Sequence, residues 1–255
     1  MSHQAATVKR GARRNVVLVL CLALLLSLSM LSRSAVAAEQ ECGSGGNWFD
    51  GFNKSPSSTY LSWGVSADIV VRSTALCGTR PNSEANFSVA WAMIFANDGE
   101  GYAQSGTFRA TGGTSAGYTH HYAEWDRSVN NPGFTRFHHY QHLFDGERHQ
   151  YWVPYVNNRL QMRVDATTFL TTNFDPNGDW AGPWITAYYG ESYYHGTDVP
   201  GRTSAKLAFG SMQSQSSPTT WESQRCGMVA LNEIPSRWDQ VTYGCNSRAV
   251  WTWNP

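Results

Sequence analysis

The sequence predicts an all-β protein, a two-sheet antiparallel β-sandwich. From residue 60 onward the chain consists of short runs of aromatic and β-branched residues, which is the composition of strands. Gly, Pro, Asn and Asp separate these runs at turns such as "NDGEG" and "DPNGD". No helical pattern interrupts them, so the strands have only each other to cover their apolar faces. Two sheets packed face to face are the expected result.

Each candidate strand is a run bounded by turn residues. The runs are Trp63 to Arg72, Phe87 to Phe95, Gly101 to Ala110, Tyr118 to Trp125, Phe134 to Phe144, Arg148 to Val156, Arg159 to Asp165, Trp184 to Tyr194, Ala205 to Met212 and Gly227 to Glu233. The aromatic tail around Cys245 predicts one or two further strands.

The N-terminal segment, residues 1–38, has the parts of a secretion signal peptide. A basic start precedes an apolar run from Val16 to Leu31, and Ala35-Val36-Ala37 supplies a small-residue cleavage site. A membrane anchor is the alternative, but it needs roughly 20 apolar residues, and Arg33 interrupts the run. We therefore expect a secreted, extracellular protein with no membrane association after signal removal. Residues 39–59 are rich in Gly, Ser and Asn and predict a flexible arm, and residues 60–255 predict a single sandwich domain.

The charge of the chain argues against nucleic acid as a partner. All 19 acidic residues but only 14 of the 19 basic residues follow the predicted signal, which gives the remaining chain a net charge of −5. A nucleic-acid-binding domain normally carries a basic surface.

Four cysteines remain after the signal, and an even number in an exported protein predicts disulfides. Of the three connectivities that four cysteines allow, closure of the shorter loops favours Cys42 with Cys77 and Cys226 with Cys245. No two of them have the Cys-x-x-Cys spacing of a structural zinc site.

An acid lies inside one predicted strand, in "ITAYYGESYYHGT". Alternation places Glu191 on the same face as Tyr189 and Tyr193. One interpretation is an edge position where the carboxylate reaches water. The other is a cleft lined by aromatic rings, in which burial raises the pKa of the carboxyl group and makes it a usable acid or base.

Two further polar residues have comparable positions. In "GYAQSGTFRA", Gln104 shares a face with Tyr102, and in "YTHHYAEW", Glu124 shares a face with Tyr122. An exposed amide, or one hydrogen-bonded to the next strand, is the alternative for Gln104.

These motifs together resemble a known group of proteins. "FSVAWAMIF", "YAQSG" and "YAEW" resemble the core of the eqolisins, the secreted glutamic peptidases, and "AYYGESYYHGTDVPG" is similar to the Gly-Glu strand of neprosin-like peptidases. The resemblance covers about residues 60 to 212. It implies a concanavalin-like jelly roll with a concave cleft, and it implies Gln104 and Glu191 as the catalytic pair.

The chemistry that the resemblance implies needs no cofactor or metal. Glu191 would draw a proton from water and return it to the leaving amine. The Gln104 amide would stabilise the tetrahedral oxyanion, with Glu124 in support. Tyr102, Tyr122, Tyr189 and Tyr193 would line a groove for an extended peptide or protein substrate.

Other motifs predict less. Gly113 to Gly117 fits the Gly-x-Ser-x-Gly pattern, but a nucleophile elbow needs a helix after it, so a hairpin turn is favoured. The histidines at 138, 139, 142, 149 and 195 lack a recognisable metal-ligand spacing with a carboxylate, which favours a solvated or hydrogen-bonded strand face. Glu222 and Glu233 are interpreted as surface acids.

Two other functions remain open at this stage. A carbohydrate-binding, lectin-like sandwich would also use rows of Tyr and Trp, because sugar rings stack on aromatic faces. A structural secreted protein would need neither catalysis nor binding.

Overall fold

The computed structural model describes residues 42–57, 61–78, 86–97, 101–114, 117–127, 132–180, 182–194, 196–224 and 226–252. All of them belong to one compact unit, residues 40–255. The predicted signal peptide lies outside the described residues. Across the described ranges, no helix has the length and apolar character needed to cross a bilayer.

The first sheet has seven strands and carries most of the residues of interest. Its strands are β1 (Gly45–Lys54), β3 (Phe87–Phe95), β4 (Tyr102–Ala110), β5 (Thr119–Asp126), β6 (Phe134–Leu143), β11 (Ile185–Tyr194) and β15 (Val229–Asn232). Their spatial order is β15-β1-β11-β3-β4-β5-β6, and all neighbours are antiparallel. Strand β11 therefore pairs with β3 although about ninety residues separate them in the sequence.

The second sheet has ten strands. They are β2 (Val65–Val70), β7 (Arg148–Val153), β8 (Tyr155–Val156), β9 (Arg159–Val164), β10 (Thr167–Thr171), β12 (Gly201–Arg202), β13 (Ala205–Ser217), β14 (Thr220–Ser223), β16 (Trp238–Thr242) and β17 (Arg248–Thr252). The main path runs β10-β9-β7-β2-β13-β12-β17-β16, with β14 on β13 and β8 on β9. Only the β12–β17 pairing in this sheet is parallel among the described strands.

The core lies between the two sheets, as the alternation of the strands requires. In the first sheet the inward side chains include Ala90, Ala92 and Ile94 of β3, and in the second sheet they include Leu207 and Phe209 of β13. Burial of this apolar surface supplies the main stabilisation, at about 25 cal/mol per Å². The two-sheet antiparallel β-sandwich predicted from the strand rhythm is confirmed.

Two predictions about local structure are wrong. Residues 45–54, assigned to the flexible arm of residues 39–59, form strand β1, which is hydrogen-bonded to β11 on one side and β15 on the other. Gly51 allows β1 to approach β11 closely, because a Cβ at this position would lie 2.1 Å from the Tyr188 carbonyl oxygen. One short helix, α1 (Pro176–Trp180), also interrupts the strands.

The predicted disulfide pairing is confirmed. Cys42 is bonded to Cys77, and Cys226 is bonded to Cys245. The first bond ties the segment before β1 to the segment after β2, and the second closes a loop that contains β15 and β16. The covalent links thus hold the N-terminal and C-terminal parts of the sandwich in place.

Candidate functional site

The outer face of the seven-stranded sheet carries the predicted site residues. Strand alternation and register arrange this face in three rows that cross the sheet. One row is Phe49, Glu191, Val89, Phe108 and His120, the middle row is Gly51, Tyr189, Trp91, Gly106, Tyr122 and His138, and the third row is Asn53, Ala187, Met93, Gln104, Glu124 and Arg136. The alternation of β4, β5 and β11 proposed from the sequence is confirmed.

Glu191 lies in an almost fully enclosed environment. Its residue is 6% exposed, and its carboxyl Oε2 accepts a hydrogen bond of 2.7 Å from the Trp91 indole Nε1. Burial raises the pKa of Glu191 to about 8, although the Trp91 hydrogen bond lowers it. The charges of Glu124 and Glu233 raise the pKa further. Glu191 is therefore protonated under acidic and neutral conditions, and its protonated and ionised forms are similarly populated near pH 8.

Gln104 and Glu124 are directly bonded. The Gln104 side-chain Nε2 donates to Glu124 Oε1 at 3.2 Å, and the register places the two residues opposite each other on β4 and β5. The hydroxyls of Tyr102 and Tyr122 also donate to the Glu124 carboxylate, one to each oxygen. Burial raises the pKa of Glu124, and these two hydrogen bonds oppose the shift. Three donors thus fix the Glu124 carboxylate, which in turn orients the carboxamide of Gln104.

The Gln104 carboxamide has one acceptor without a partner. Its Oε1 is buried and makes no hydrogen bond with the described residues, and the residue is 4% exposed. The Nε2 group has two N–H bonds, of which Glu124 takes one. The carboxamide therefore has a buried oxygen without a partner and one N–H that Glu124 does not take.

Glu191 and Gln104 lie on the same face but not opposite each other. Across β3, the residue that faces Gln104 on β11 is Ala187, and Glu191 lies four residues further along that strand. The middle row, with Trp91 and Gly106, lies between them. No described hydrogen bond joins Glu191 to Gln104.

A chain of contacts crosses the middle row instead. The Trp91 ring lies 5.4 Å from the Tyr122 ring, centroid to centroid, and Gly106 pairs with both residues in register. Glu191 thus connects through Trp91 and Tyr122 to Glu124 and Gln104. At Gly106 a Cβ would lie 1.8 Å from the Ala90 carbonyl oxygen, so this position requires glycine.

The four tyrosines predicted to line a groove differ in exposure. Tyr122 and Tyr189 are 2% and 5% exposed, and the Tyr189 hydroxyl accepts a hydrogen bond of 2.6 Å from Asn53 Nδ2. Tyr102 and Tyr193 are half-buried. The structure therefore gives Tyr122 and Tyr189 packing roles and leaves Tyr102 and Tyr193 nearer to solvent.

Two site residues were missed by sequence reasoning. Trp91 lies in an apolar run, and the sequence reasoning did not distinguish it from the tryptophans of the core. Strand alternation could have identified it, because alternation places Trp91 on the outer face of β3. Glu233 is exposed, as predicted for a surface acid, but its carboxylate accepts a hydrogen bond of 2.7 Å from the Phe49 amide. It is near enough to raise the pKa of Glu191.

The histidines of β5 contact a histidine on the neighbouring strand β6 and a tyrosine of the other sheet. His120 Nε2 and His138 Nδ1 are 2.9 Å apart, and His121 Nδ1 lies 2.8 Å from the Tyr151 hydroxyl. Burial lowers the pKa of His120 to about 4, so this ring is neutral at physiological pH. Within the described ranges, no group of three or more His, Cys, Asp or Glu side chains has the arrangement of a metal site. His195 lies outside the described residues.

The Gly113 to Gly117 segment joins the antiparallel strands β4 and β5, where the Gly117 amide donates to the Ala110 carbonyl at 2.8 Å. A strand and not a helix follows it, so the hairpin interpretation of the Gly-x-Ser-x-Gly match is confirmed. Ser115 itself lies outside the described residues.

Solved structures with a similar fold were found, although no protein-family model and no curated protein sequence matches the chain. A crystal structure of scytalido-glutamic peptidase with a peptide-based transition state analog matches with a TM-score of 0.51 and 11% identity, covering 82% of this chain and 100% of that chain. A second crystal structure of the same peptidase, with a transition state analog inhibitor, matches with a TM-score of 0.50 and 12% identity over the same shares of both chains. This chain therefore has a glutamic peptidase-like fold.

Proposed function

We propose that this protein, which has the fold of the glutamic peptidases, is a secreted hydrolase that cleaves peptide bonds with Glu191, Gln104 and an activated water. The observation that carries the proposal is the state of Glu191, an enclosed carboxyl group with a pKa of about 8 on the same sheet face as Gln104. Perturbed carboxyl groups with specific partners are typical of catalytic sites.

Glu191 acts first as a general base. In its ionised form it takes a proton from a water molecule that attacks the scissile carbonyl carbon. The protonated Glu191 then donates this proton to the leaving amine, and a pKa between those of an ordinary carboxyl and an amine suits both steps. The Trp91 indole N–H holds the carboxyl group in place through both protonation states.

Gln104 stabilises the oxyanion that forms on the carbonyl oxygen. Glu124 takes one N–H of the Gln104 amide and leaves the second N–H for the substrate. Removal of one oxyanion donor in a hydrolase costs roughly 3 kcal/mol of transition-state stabilisation. Tyr102 and Tyr122 fix Glu124, and Glu124 is therefore a positioning residue for the donor.

The substrate lies across the middle row. A peptide bond above Trp91 and Gly106 lies between the row of Glu191 and the row of Gln104, because these rows flank the middle one. Successive rows are about 7 Å apart along the strands, so the backbones of the Glu191 row and the Gln104 row are about 14 Å apart, with the middle row between them. An extended peptide is the matching substrate, and the half-buried Tyr102 and Tyr193 lie nearest to solvent for its side chains.

Export is part of the proposal. The two disulfide bonds are consistent with an oxidising compartment, where structural disulfides persist.

The test is digestion of an unfolded protein by the purified protein between pH 4 and pH 10, a range that spans the pKa of Glu191. Glu191→Gln and Gln104→Ala are compared with Glu222→Gln, a matched change on β14 in the other sheet. We expect cleavage by the wild type and by Glu222→Gln, with kcat/KM reduced about 10²-fold or more in Glu191→Gln. Equal digestion by all four proteins would exclude Glu191 and Gln104 as the catalytic pair.

A further inference from the structure

A cavity lies away from the outer-face site. It has a volume of about 570 Å³ and lies at the end of β2, beside the hairpin that joins β12 and β13. Arg109 of β4, in the first sheet, also lines the cavity. It lies five residues after Gln104, so strand alternation places its side chain on the opposite face of the sheet from Gln104. The volume is within the range of small-molecule sites, about 300–1,000 Å³.

The two acids that line this cavity already have cationic partners. Asp145 Oδ2 lies 3.3 Å from Arg72 Nη1, and its Oδ1 accepts a hydrogen bond of 2.7 Å from the Ser73 amide. Asp198 forms an ion pair with Arg237. The carboxylates of the cavity are therefore paired with arginines that do not line it.

The two arginines that do line the cavity have no such compensation. Among the described residues, no carboxylate lies within ion-pair distance of Arg109 or Arg202. The Arg109 Nε is buried and makes no hydrogen bond. Burial lowers the pKa of Arg109, and no acidic group opposes that shift. Arg109 is half-buried, and an enclosed guanidinium N–H without an acceptor is costly, so an anion from outside the chain would offset the cost.

A carboxylate fits this cavity better than a phosphate. The planar guanidinium fork of Arg109 matches a carboxylate through two parallel hydrogen bonds. A phosphate dianion would carry a second charge into a space that Asp145 and Asp198 also line, and like charges repel. Arg202 is exposed at the rim and adds attraction for a monoanion that enters from solvent.

We propose that this cavity binds the carboxylate of a small organic acid of amino-acid to dipeptide size, with Arg109 as the principal ligand-binding residue and Arg202 at the entrance. The inference stands on the cavity and its unpaired arginines, and it does not depend on peptidase activity.

The test is isothermal titration of the protein at neutral pH and low salt with three probes. N-acetylalanine supplies the carboxylate, N-acetylalaninamide is its neutral counterpart, and inorganic phosphate tests the alternative anion. We expect N-acetylalanine to bind with a Kd below about 10 mM and the amide to give no measurable heat. Equal binding of the amide, tighter binding of phosphate, or no binding of N-acetylalanine would overturn the proposal.

Variants locate the binding site. Arg109→Met should weaken N-acetylalanine binding at least about tenfold, and Arg109→Lys, which keeps the charge but not the fork, should give an intermediate affinity. Arg159→Met is the matched control, since Arg159 starts β9 and does not line the cavity. Thermal unfolding checks that each variant folds, and Arg109→Lys provides the comparison if Arg109→Met does not. Unchanged affinity in a folded Arg109 variant would contradict the assignment.

Discussion

Asp50 and Glu191 carry two buried carboxyl groups on neighbouring strands of one sheet. Their side chains lie on opposite faces of that sheet. Asp50 of β1 pairs in register with Gly190 of β11, the residue next to Glu191. Burial raises the pKa of each group to about 8. Glu191 has Trp91 as a donor, whereas both oxygens of Asp50 are buried and make no hydrogen bond with the described residues.

This difference shows that a raised pKa is not enough to identify a catalytic acid. Asp50 faces the interior of the sandwich, and the charge of Asp239 raises its pKa after burial does. Glu191 lies on the face that also presents Gln104 and Glu124. We therefore assign Asp50 to pH-dependent stability and Glu191 to the proposed chemistry.

The largest expected difference between Asp50 and Glu191 is in the effect of their substitution on peptide hydrolysis. Glu191→Gln should reduce kcat/KM by about 10²- to 10⁴-fold, because the general acid–base group is lost. Asp50→Asn should leave kcat/KM within about twofold of wild type, because Asp50 lies on the opposite face from the proposed catalytic pair. Steady-state kinetics on one peptide substrate measure both. A comparable loss of kcat/KM in a folded Asp50→Asn protein would remove the distinction.

The second effect concerns the pH dependence of stability, to which Asp50 and Glu191 both contribute. A carboxyl group with a raised folded-state pKa contributes its full stability below the unfolded-state pKa of about 4 and loses it as the pH rises toward about 8. At about 1.36 kcal/mol per pKa unit, we expect Asp50 alone to account for a loss on the order of 5 kcal/mol of unfolding free energy between these limits. Asp50→Asn should remove the share of this pH dependence that belongs to Asp50, since Asn does not ionise, and leave the share of Glu191, whose pKa is also raised to about 8. Urea unfolding at the two pH values measures it, and an unchanged slope in Asp50→Asn would argue against the role of Asp50.

A smaller effect concerns the neighbours of Glu191. Trp91→Phe removes a hydrogen bond that lowers the pKa of Glu191, so this pKa should rise. Glu124→Gln removes a charge that raises it, so the pKa should fall. Carbon NMR titration of the Glu191 carboxyl group in both variants measures the shifts. Shifts in the same direction would show that other groups control the pKa of Glu191.

The smallest effect is expected where a carboxylate reaches solvent. Arg148 Nη1 and Asp68 Oδ2 are 3.7 Å apart, and the arginine side chain is mostly exposed. Asp68→Asn should change the free energy of unfolding by less than about 1 kcal/mol. Urea unfolding near neutral pH measures the change. A loss of several kcal/mol would mean that this pair is buried more effectively than its exposure indicates.

Much of the fold followed from local patterns. Strand β3 has the predicted bounds, Phe87 to Phe95, because an apolar run flanked by turn residues defines it. Strand β1 could not be predicted from its composition, since Gly45, Gly46 and Gly51 dilute the strand signal. That strand is stabilised by pairing with β11 and β15, which are distant in the sequence, and tertiary pairing overrides local propensity.

The site was predictable in part. Alternation placed Gln104, Glu124 and Glu191 on their faces, because the side-chain period of a strand is fixed. It could not supply the register between strands, which offsets Glu191 by four residues from the position opposite Gln104. Asp50 was not identified because its strand was not predicted. Trp91 was not identified because the sequence does not distinguish an indole that donates a hydrogen bond to Glu191 from an indole that packs in the core.

The pH dependence of kcat/KM for peptide hydrolysis tests the central claim most directly. If Glu191 is the general base, the wild type should show an ascending limb with an apparent pKa near 8, and Glu191→Gln should lose both the limb and the activity. A limb that persists in a folded Glu191→Gln protein, with activity close to wild type, would contradict the claim.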